Sequence, residues 1–304
     1  MIVKERVLLF GAGDGAKKYL QNESEGLQVL GIVDNDKGKQ GLFIHDVQIL
    51  SPEAGLALLF DKIIITTQWA SQVRDQLIDN HGIDEEKIII PPKSQFKTPE
   101  PFYHLPTKQL ARQIIEEFSQ SAKNFGFNLY LDFGTLLGIV RDGDIIDWDD
   151  DIDFSVNHHE LDVLNEWIQI EVKKIILPVK LAITLVEKQE GGITSYLFTF
   201  ESDPDVFDAF KPFMISISLR KNVDDNAIHL PSSGLWYAPK KHFESYEAKL
   251  WRNVSLTLPF ESKEYLSFLY GDWEVPKKNI TMVDYKNLGD VGFDKIDKIN
   301  TTQI

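Results

Sequence analysis

The sequence predicts an α/β protein of two domains, the first built on a doubly wound parallel sheet and the second a mixed α/β domain. The chain has 304 residues, which at roughly 150 residues per domain is enough for two separate cores. Over the first ninety residues, short apolar runs alternate with helical patterns, as in a parallel sheet covered by helices. Residues 91–107 then hold five of the 13 prolines, which break helices and mark a domain boundary.

We therefore place the first domain at residues 1–95, a proline-rich linker at 96–106 and the second domain at 107–304. The first domain has predicted strands at 7–10, 29–33, 63–65 and 88–90, and helical patterns at 17–21 and 70–80. In the second domain a 3.6-residue apolar period predicts a long helix capped by Thr107 and reaching Phe125. Further apolar segments follow at 179–186, 195–200, 206–210 and 214–219, before a polar C-terminal tail.

The amino-acid composition and net charge exclude or disfavour several classes of function. With 43% hydrophobic and 26% charged residues, the chain is typical of a soluble globular protein. Its net charge of −15 disfavours binding to nucleic acid or anionic membranes. The absence of cysteine excludes disulfides, thiolate zinc sites and cysteine nucleophiles. No apolar run approaches the ~18 residues of a membrane span and no signal peptide is evident, so we expect a cytoplasmic protein, with oligomerisation open.

The densest chemical signal is an acidic run of seven aspartates between residues 142 and 153, with no base among them. Like charges this close repel one another unless a cation neutralises them. Asp151 and Asp153 flank Ile152 at the start of an apolar strand, so both carboxylates point to one face. They can supply the oxygen ligands that Mg²⁺ prefers, with positions left for substrate phosphates. A solvated acidic loop is the alternative, but Trp148 and the isoleucines anchor the acids in a packed strand entry.

A phosphate-binding turn is predicted just upstream. Gly134 and Thr135 lie where a predicted strand turns into a helix, so backbone N–H groups and the threonine hydroxyl can hold a phosphate at the positive helix end. Arg141 is expected either to brace a phosphate or to pair with the neighbouring acids. Metal-binding carboxylates beside a phosphate cradle form a layout for phosphoryl transfer.

Gly-Thr followed by Asp-x-Asp on the next strand resembles the nucleotidyltransferase-fold superfamily. More narrowly, the stretch from Gly134 to Asp153, together with Tyr265-Leu266 and the Tyr-Gly-Asp-Trp run at 270–273, resembles the LicD and fukutin-related family. The resemblance covers residues 107–280 and implies a nucleotidyltransferase fold for the second domain. It also implies a third carboxylate on a later strand, for which Asp208 in the run 206–210 is the best candidate.

Members of that family transfer a phosphorylated small alcohol, such as phosphocholine or ribitol phosphate, from a CDP carrier to a glycan hydroxyl. The resemblance implies this activity here, with a CDP-linked donor and a carbohydrate acceptor, in bacterial surface-glycan synthesis. The expected ligands of Mg²⁺ or Mn²⁺ are Asp149, Asp151, Asp153 and Asp208. Asp208 is alternatively a general base, and the expected donor-phosphate ligands are Gly134, Thr135 and Arg141. Two other functions stay open: transfer of a nucleotide from an NTP to a small molecule, and nucleotide binding without turnover.

The N-terminal domain carries a variant dinucleotide fingerprint. Gly11, Gly13 and Ala16 lie between a strand and a helix, and Asp34 ends the second strand about twenty residues on, where a ribose-binding acid is expected. This pattern resembles the short Rossmann-like domains ahead of some bacterial sugar-modifying transferases. Some ninety residues are too few for a complete two-half NAD fold. A nucleotide site at Gly11, Gly13 and Asp34 and a purely structural or oligomerising domain both stay open, and we expect a role in binding or assembly.

Overall fold

The computed structural model describes residues 4–22, 26–96, 100–188, 192–201, 203–232, 236–277, 281–285, 287, 289 and 299–304. The chain divides into two compact units. The first comprises Met1–Thr98 with Lys277–Tyr285, and the second comprises Pro99–Pro276 with Lys286–Ile304. The sequence pattern assigned 277–285 to the second domain. Tyr285 at the end of this segment belongs instead to the first unit, where the Lys93 ammonium donates a hydrogen bond to its hydroxyl at 2.8 Å.

The first unit is a doubly wound α/β domain, as predicted. Its strands are β1 (Glu5–Phe10), β2 (Leu27–Val33), β3 (Phe43–Ile44), β4 (Val47–Leu50), β5 (Lys62–Ile65) and β6 (Ile88–Ile89). Its helices are α1 (Asp14–Asn22), α2 (Pro52–Leu56) and α3 (Ala70–Asp75), the last continued by a π-helical turn at Gln76–Asn80. The strand order is β3-β4-β2-β1-β5-β6. Neighbouring strands are parallel except β3 and β4, which form an antiparallel hairpin.

The second unit is a mixed α/β domain. Its helices are α4 (Leu105–Phe125), α5 (Phe133–Arg141), α6 (Leu161–Ile170), α7 (Pro204–Ala209), α8 (Lys241–Glu244) and α9 (Ser262–Tyr270). Its strands are β7 (Tyr130–Leu131), β8 (Asp151–Asn157), β9 (Leu181–Lys188), β10 (Ile193–Phe200), β11 (Met214–Val223), β12 (Asn226–His229), β13 (Tyr237–Pro239), β14 (Tyr246–Trp251), β15 (Val254–Pro259) and β16 (Ile299–Gln303). The main path of the sheet runs β14-β15-β7-β8-β11-β10-β9-β16, with β12 and β13 branching from β11.

The long helix α4 supplies much of the core of the second unit. Its buried face includes Ile114 and Phe118, and the Phe118 ring lies 6.1 Å from Phe154 of β8, centroid to centroid. The 3.6-residue apolar period therefore predicted the buried face of this helix. The helix begins at Leu105 with His104 as its N-cap, however, three residues earlier than a cap at Thr107 implies. Thr107 is not its cap, because the hydroxyl of this residue accepts a hydrogen bond from the backbone N–H of Lys211 at 2.8 Å.

Two C-terminal features differ from the sequence expectation. The run 206–210, expected to carry an acid on a strand, lies mostly in helix α7. Part of the polar tail is ordered as β16, which pairs antiparallel with β9 although all five of its side chains are exposed. Among the residues that the structure describes, no helix combines the length and the hydrophobicity of a membrane span.

Candidate active site

The acidic run leads into β8, which lies inside the sheet between β7 and β11. Asp151 and Asp153 are half-buried, and Ile152 between them is completely buried. The strand period predicted this alternation, because neighbouring side chains on a strand point to opposite faces. Two carboxylates therefore lie on one face at the beginning of β8.

Three consecutive acids form a compact group at the entrance to β8. Asp149, Asp150 and Asp151 each offer a carboxylate oxygen, and these oxygens lie within 4.8 Å of one another. Oxygen donors at this spacing suit a hard divalent cation such as Mg²⁺ or Mn²⁺, which would also relieve the repulsion among the carboxylates. The residues present therefore fit the expected metal. Asp149 and Asp151 were predicted as ligands, whereas Asp150 was not.

Asp153 lies outside this group of three and has its own partners. Its carboxylate accepts a hydrogen bond of 2.8 Å from the hydroxyl of Ser216, on the adjacent strand β11. Its backbone N–H donates to the hydroxyl of Thr135 at 2.9 Å. The structure thus places Asp153 beside the acidic group and anchors it to two neighbouring elements.

The structure does not place Asp208 on a strand. Asp208 is an exposed residue of the short helix α7. The strand that adjoins the acids is β11, where Met214 pairs with Asp151 in register and Ser216 pairs with Asp153. The prediction that Asp208 supplies a third carboxylate on a strand is therefore wrong. At the matching positions the neighbouring strand offers a thioether and a hydroxyl.

The strand-to-helix turn at residues 132–135, next to the acidic group, has an uncommon backbone conformation. Asp132 is the N-cap of α5, and its carboxylate accepts a hydrogen bond of 2.9 Å from the backbone N–H of Phe133. Phe133 has φ +44°, a left-handed conformation that is uncommon for bulky residues and typical of functional turns. Its ring packs edge to face against His229, with centroids 5.3 Å apart. Burial, with the added effect of the Arg220 charge, lowers the pKa of His229 to about 3, so this imidazole is neutral.

Gly134 allows the acidic segment to lie directly on this turn. A Cβ atom at Gly134 would lie 2.2 Å from Oδ2 of Asp149 and 3.2 Å from its Cγ. Only glycine therefore permits the observed approach of the carboxylate. Asp149 consequently lies near the amino end of α5, where the helix dipole favours negative charge.

The two other expected phosphate ligands have different surroundings. Thr135 is buried and binds the backbone of Asp153 through its hydroxyl, so a donor-phosphate contact by its side chain stays a prediction. Arg141 lies at the opposite end of α5 from Gly134, about 10 Å away at 1.5 Å per residue. Its guanidinium binds both carboxylate oxygens of Asp142 at 2.9 and 2.7 Å. The structure supports pairing with a neighbouring acid over the expected role in binding phosphate.

The acidic run is partly neutralised. Besides the ion pair between Arg141 and Asp142, two basic side chains of α4 form ion pairs with aspartates of the run. Arg112 binds both carboxylate oxygens of Asp144, and Lys108 lies 2.7 Å from Asp147 and 3.3 Å from Asp144. Although burial alone would raise it, hydrogen bonds from Arg112 and the backbone, with the charge of Lys108, hold the pKa of Asp144 below its ordinary value. Asp142, Asp144 and Asp147 of the run therefore lie in ion pairs, and Asp149, Asp150 and Asp151 form the compact carboxylate group.

We expect Arg112→Gln to lower the unfolding free energy by about 1.5–3 kcal/mol, the range for hydrogen bonds to charged groups. The lowered pKa of Asp144 means that this pair stabilises the fold above the ordinary pKa of aspartate, about 3.9, and that stability is lost as the pH falls through the folded-state pKa. The variant should therefore unfold at a higher pH than wild type in acid titrations followed by circular dichroism. The exposed pair of Lys174 and Glu171 provides the control: Lys174→Gln should change little, and equal effects would contradict the prediction.

A buried polar network beneath the turn was not predicted. Asp132 and Arg220 are at most 1% exposed and form an ion pair, with Arg220 Nη2 2.6 Å from Asp132 Oδ2. The Tyr265 hydroxyl donates to the other carboxylate oxygen at 2.6 Å, and the Ser155 hydroxyl also donates to Asp132. Tyr265 belongs to the C-terminal motif noted in the sequence. That motif was the one available signal for this network.

In the first unit, Asp34 directly follows β2, as predicted, and contacts the glycine turn. Its carboxylate accepts hydrogen bonds from the backbone N–H groups of Ala12 at 2.7 Å and Asp36 at 2.8 Å. Gly11 has φ +109°, and a Cβ there would lie 2.8 Å from the Cβ of Thr67. Gly13 faces open space, with nothing within 4 Å of a Cβ placed on it. Nucleotide binding at this turn stays a prediction.

The mixed sheet, the acidic strand and the glycine turn of the second unit are the features expected of a nucleotidyltransferase-type domain. More narrowly, residues 126–252 match the family described as "LicD/FKTN/FKRP, nucleotidyltransferase domain", which confirms the family resemblance noted in the sequence for this part of the chain. Residues 3–89 match the family described as "C2185-like, N-terminal". A search of curated proteins found no significant match.

Several solved structures are distantly similar to parts of this chain. A "putative nucleotidyltransferase" from Helicobacter pylori is 15% identical, with a TM-score of 0.28, over 57% of this chain and 62% of that one. UDP-D-quinovosamine 4-dehydrogenase from Vibrio fischeri is 18% identical over 26% of this chain and 71% of that one, with a TM-score of 0.22. RSP in complex with β-NADH is 24% identical over 25% of this chain, with a TM-score of 0.21. The present chain spans only 41% of RSP. These likenesses are too distant to assign a function.

Proposed function

We propose that this protein is a metal-dependent transferase that moves a phospho-alcohol from a CDP-linked donor to a glycan hydroxyl, in bacterial surface-polysaccharide synthesis in the cytoplasm. The match to the LicD/FKTN/FKRP domain supports a transferase role in glycan modification. The observation that carries the rest is the group of Asp149, Asp150 and Asp151 at the amino end of α5. Such a group would hold a divalent cation beside backbone donors that suit a phosphate.

The residues of the site have separate proposed roles. Asp149, Asp150 and Asp151 would hold Mg²⁺ or Mn²⁺. When bound, such an ion neutralises charge on a diphosphate and on the group in transfer. The backbone N–H groups of Gly134 and Thr135 would bind donor phosphate oxygens at the helix end. Asp208 is kept only as a candidate general base, since its carboxylate is exposed in α7.

The first unit is proposed to act in ligand binding or assembly. The residues that the proposed chemistry uses all belong to the second unit. The contact of Asp34 with the glycine turn supports a nucleotide site, and a structural or oligomerising role is the alternative.

The proposed function predicts that the purified protein with Mg²⁺ releases CMP from at least one of CDP-choline, CDP-ribitol, CDP-glycerol and CDP-ethanolamine. Release should stop in EDTA and return when Mg²⁺ is added in excess, because the carboxylates need the cation to bind a diphosphate. Chromatography with mass spectrometry detects CMP and the phospho-alcohol adduct on the acceptor. Release of pyrophosphate from an NTP, with a nucleotide adduct, would instead establish nucleotidyl transfer, the second candidate, which the match to a nucleotidyltransferase domain favours.

A further inference from the structure

The strand-to-helix turn at residues 132–135 holds the acidic segment at both ends. At one end, Gly134 lies against the carboxylate of Asp149. At the other end, the backbone N–H of Asp132 donates to the carbonyl of Asp153 at 3.0 Å, and the Thr135 hydroxyl accepts from the Asp153 backbone at 2.9 Å. A movement of this turn would therefore move Asp149 and the start of β8 together.

The turn itself depends on groups that are distant in sequence. The Asp132 carboxylate holds Phe133 in its left-handed conformation through a bond to the Phe133 backbone N–H. Arg220 from β11 and Tyr265 from α9 fix that carboxylate, and they also bind each other, with Arg220 Nη2 2.9 Å from the Tyr265 hydroxyl. Burial raises the pKa of Tyr265 well above its ordinary value, so its phenol stays protonated and able to donate.

Stability alone does not account for this network. Both charged groups of a fully buried ion pair lose their hydration. Replacing such a pair by apolar residues therefore often leaves the stability of the fold unchanged or raises it. Arg220 also has a buried Nη1 without a hydrogen-bond partner among the described residues, which is a further cost. An arrangement with this cost is consistent with a requirement for one fixed geometry of the turn.

We propose that Arg220 and Tyr265 are positioning residues for the cation site, acting through Asp132 and the 132–135 turn to fix Asp149. This inference rests on the proposed function, in which Asp149 is a metal ligand. In this role neither side chain needs to contact the cation or the substrate. Partners that orient a metal ligand through another group commonly change metal affinity about 10- to 100-fold when they are removed.

Tyr265→Phe tests the inference, because it removes one hydroxyl and keeps the ring. We expect Mn²⁺, measured by electron paramagnetic resonance on the full-length protein, to bind about tenfold more weakly. Tyr196→Phe is the matched control: Tyr196 is also buried in the second unit, and its hydroxyl binds Asn165 rather than the turn. It should keep wild-type Mn²⁺ affinity whatever its thermal stability.

A second variant covers the case in which Tyr265→Phe does not fold. Ser155→Ala removes another hydrogen bond to Asp132 with little change in volume, and it should also weaken Mn²⁺ binding. Folded Tyr265→Phe or Ser155→Ala protein with wild-type Mn²⁺ affinity would overturn the positioning role and leave the proposed function standing. If the wild-type protein does not bind Mn²⁺, the proposed metal-dependent function fails, and this inference fails with it.

Discussion

Asp151→Asn should reduce Mg²⁺-dependent cleavage of the CDP-linked donor at least about a hundredfold, because the cation contributes several kcal/mol of charge stabilisation and each 1.36 kcal/mol is a factor of ten in rate. Asp151 belongs both to the group of three carboxylates and to the first position of β8. The amide keeps the shape of the side chain and removes its charge. Initial rates of CMP release across a Mg²⁺ series measure the effect.

The control for Asp151→Asn is Asp142→Asn. Asp142 belongs to the same acidic run, but it pairs with Arg141 at the opposite end of α5. We expect its rate to stay within a few-fold of wild type. A wild-type rate in Asp151→Asn, or equal losses in both variants, would show that the acidic group does not bind the catalytic cation.

Gly134→Ala should reduce Mg²⁺-dependent donor cleavage about as much as Asp151→Asn does, and for a purely steric reason. The added methyl group would lie 2.2 Å from Oδ2 of Asp149, so either the carboxylate or the turn must move. Removal of a single ligand from the site should weaken Mn²⁺ binding and lower donor cleavage by about a hundredfold. Electron paramagnetic resonance and CMP release measure the two effects on the same preparation.

A second glycine variant separates loss of the site from loss of stability. Gly126 ends α4 with φ +99°, and a Cβ there meets nothing within 4 Å. Gly126→Ala should lower the melting temperature through backbone strain while Mn²⁺ affinity stays at the wild-type value. If Gly134→Ala affects only the melting temperature, as expected for Gly126→Ala, the contact with Asp149 has no role in metal binding.

The correct predictions from sequence concern local regularities. The alternation of Asp151, Ile152 and Asp153 follows from the two-residue period of a strand, which needs no tertiary information. The position of Asp34 just after β2 follows from the regular spacing of a parallel βαβ unit. The same reasoning missed Asp150, because strand alternation draws attention to every second residue, whereas these acids converge where the chain enters β8.

The errors concern pairings between distant segments. Asp208 satisfied the expectation of an acid among apolar residues, but only the register of β11 against β8 shows that Ser216 lies beside Asp153. Arg112 and Lys108 occupy one face of a helix whose partner is unknown from sequence. Arg220 and Tyr265 are 88 and 133 residues from Asp132, and no spacing rule connects residues at those separations.

The return of residues 277–285 to the first unit has a consequence for folding during synthesis. Because the chain is made from its amino terminus, the first 98 residues emerge long before the segment that completes their unit. Residues 99–276 of the second unit are made in between. Lys93 and Tyr285, which bind each other in the first unit, are 192 positions apart in the chain. The contacts between these two pieces are therefore among the most non-local in the molecule, and such contacts form slowly. On the ribosome, the amino-terminal unit starts to fold first and can be completed only after residues 99–276 have been made.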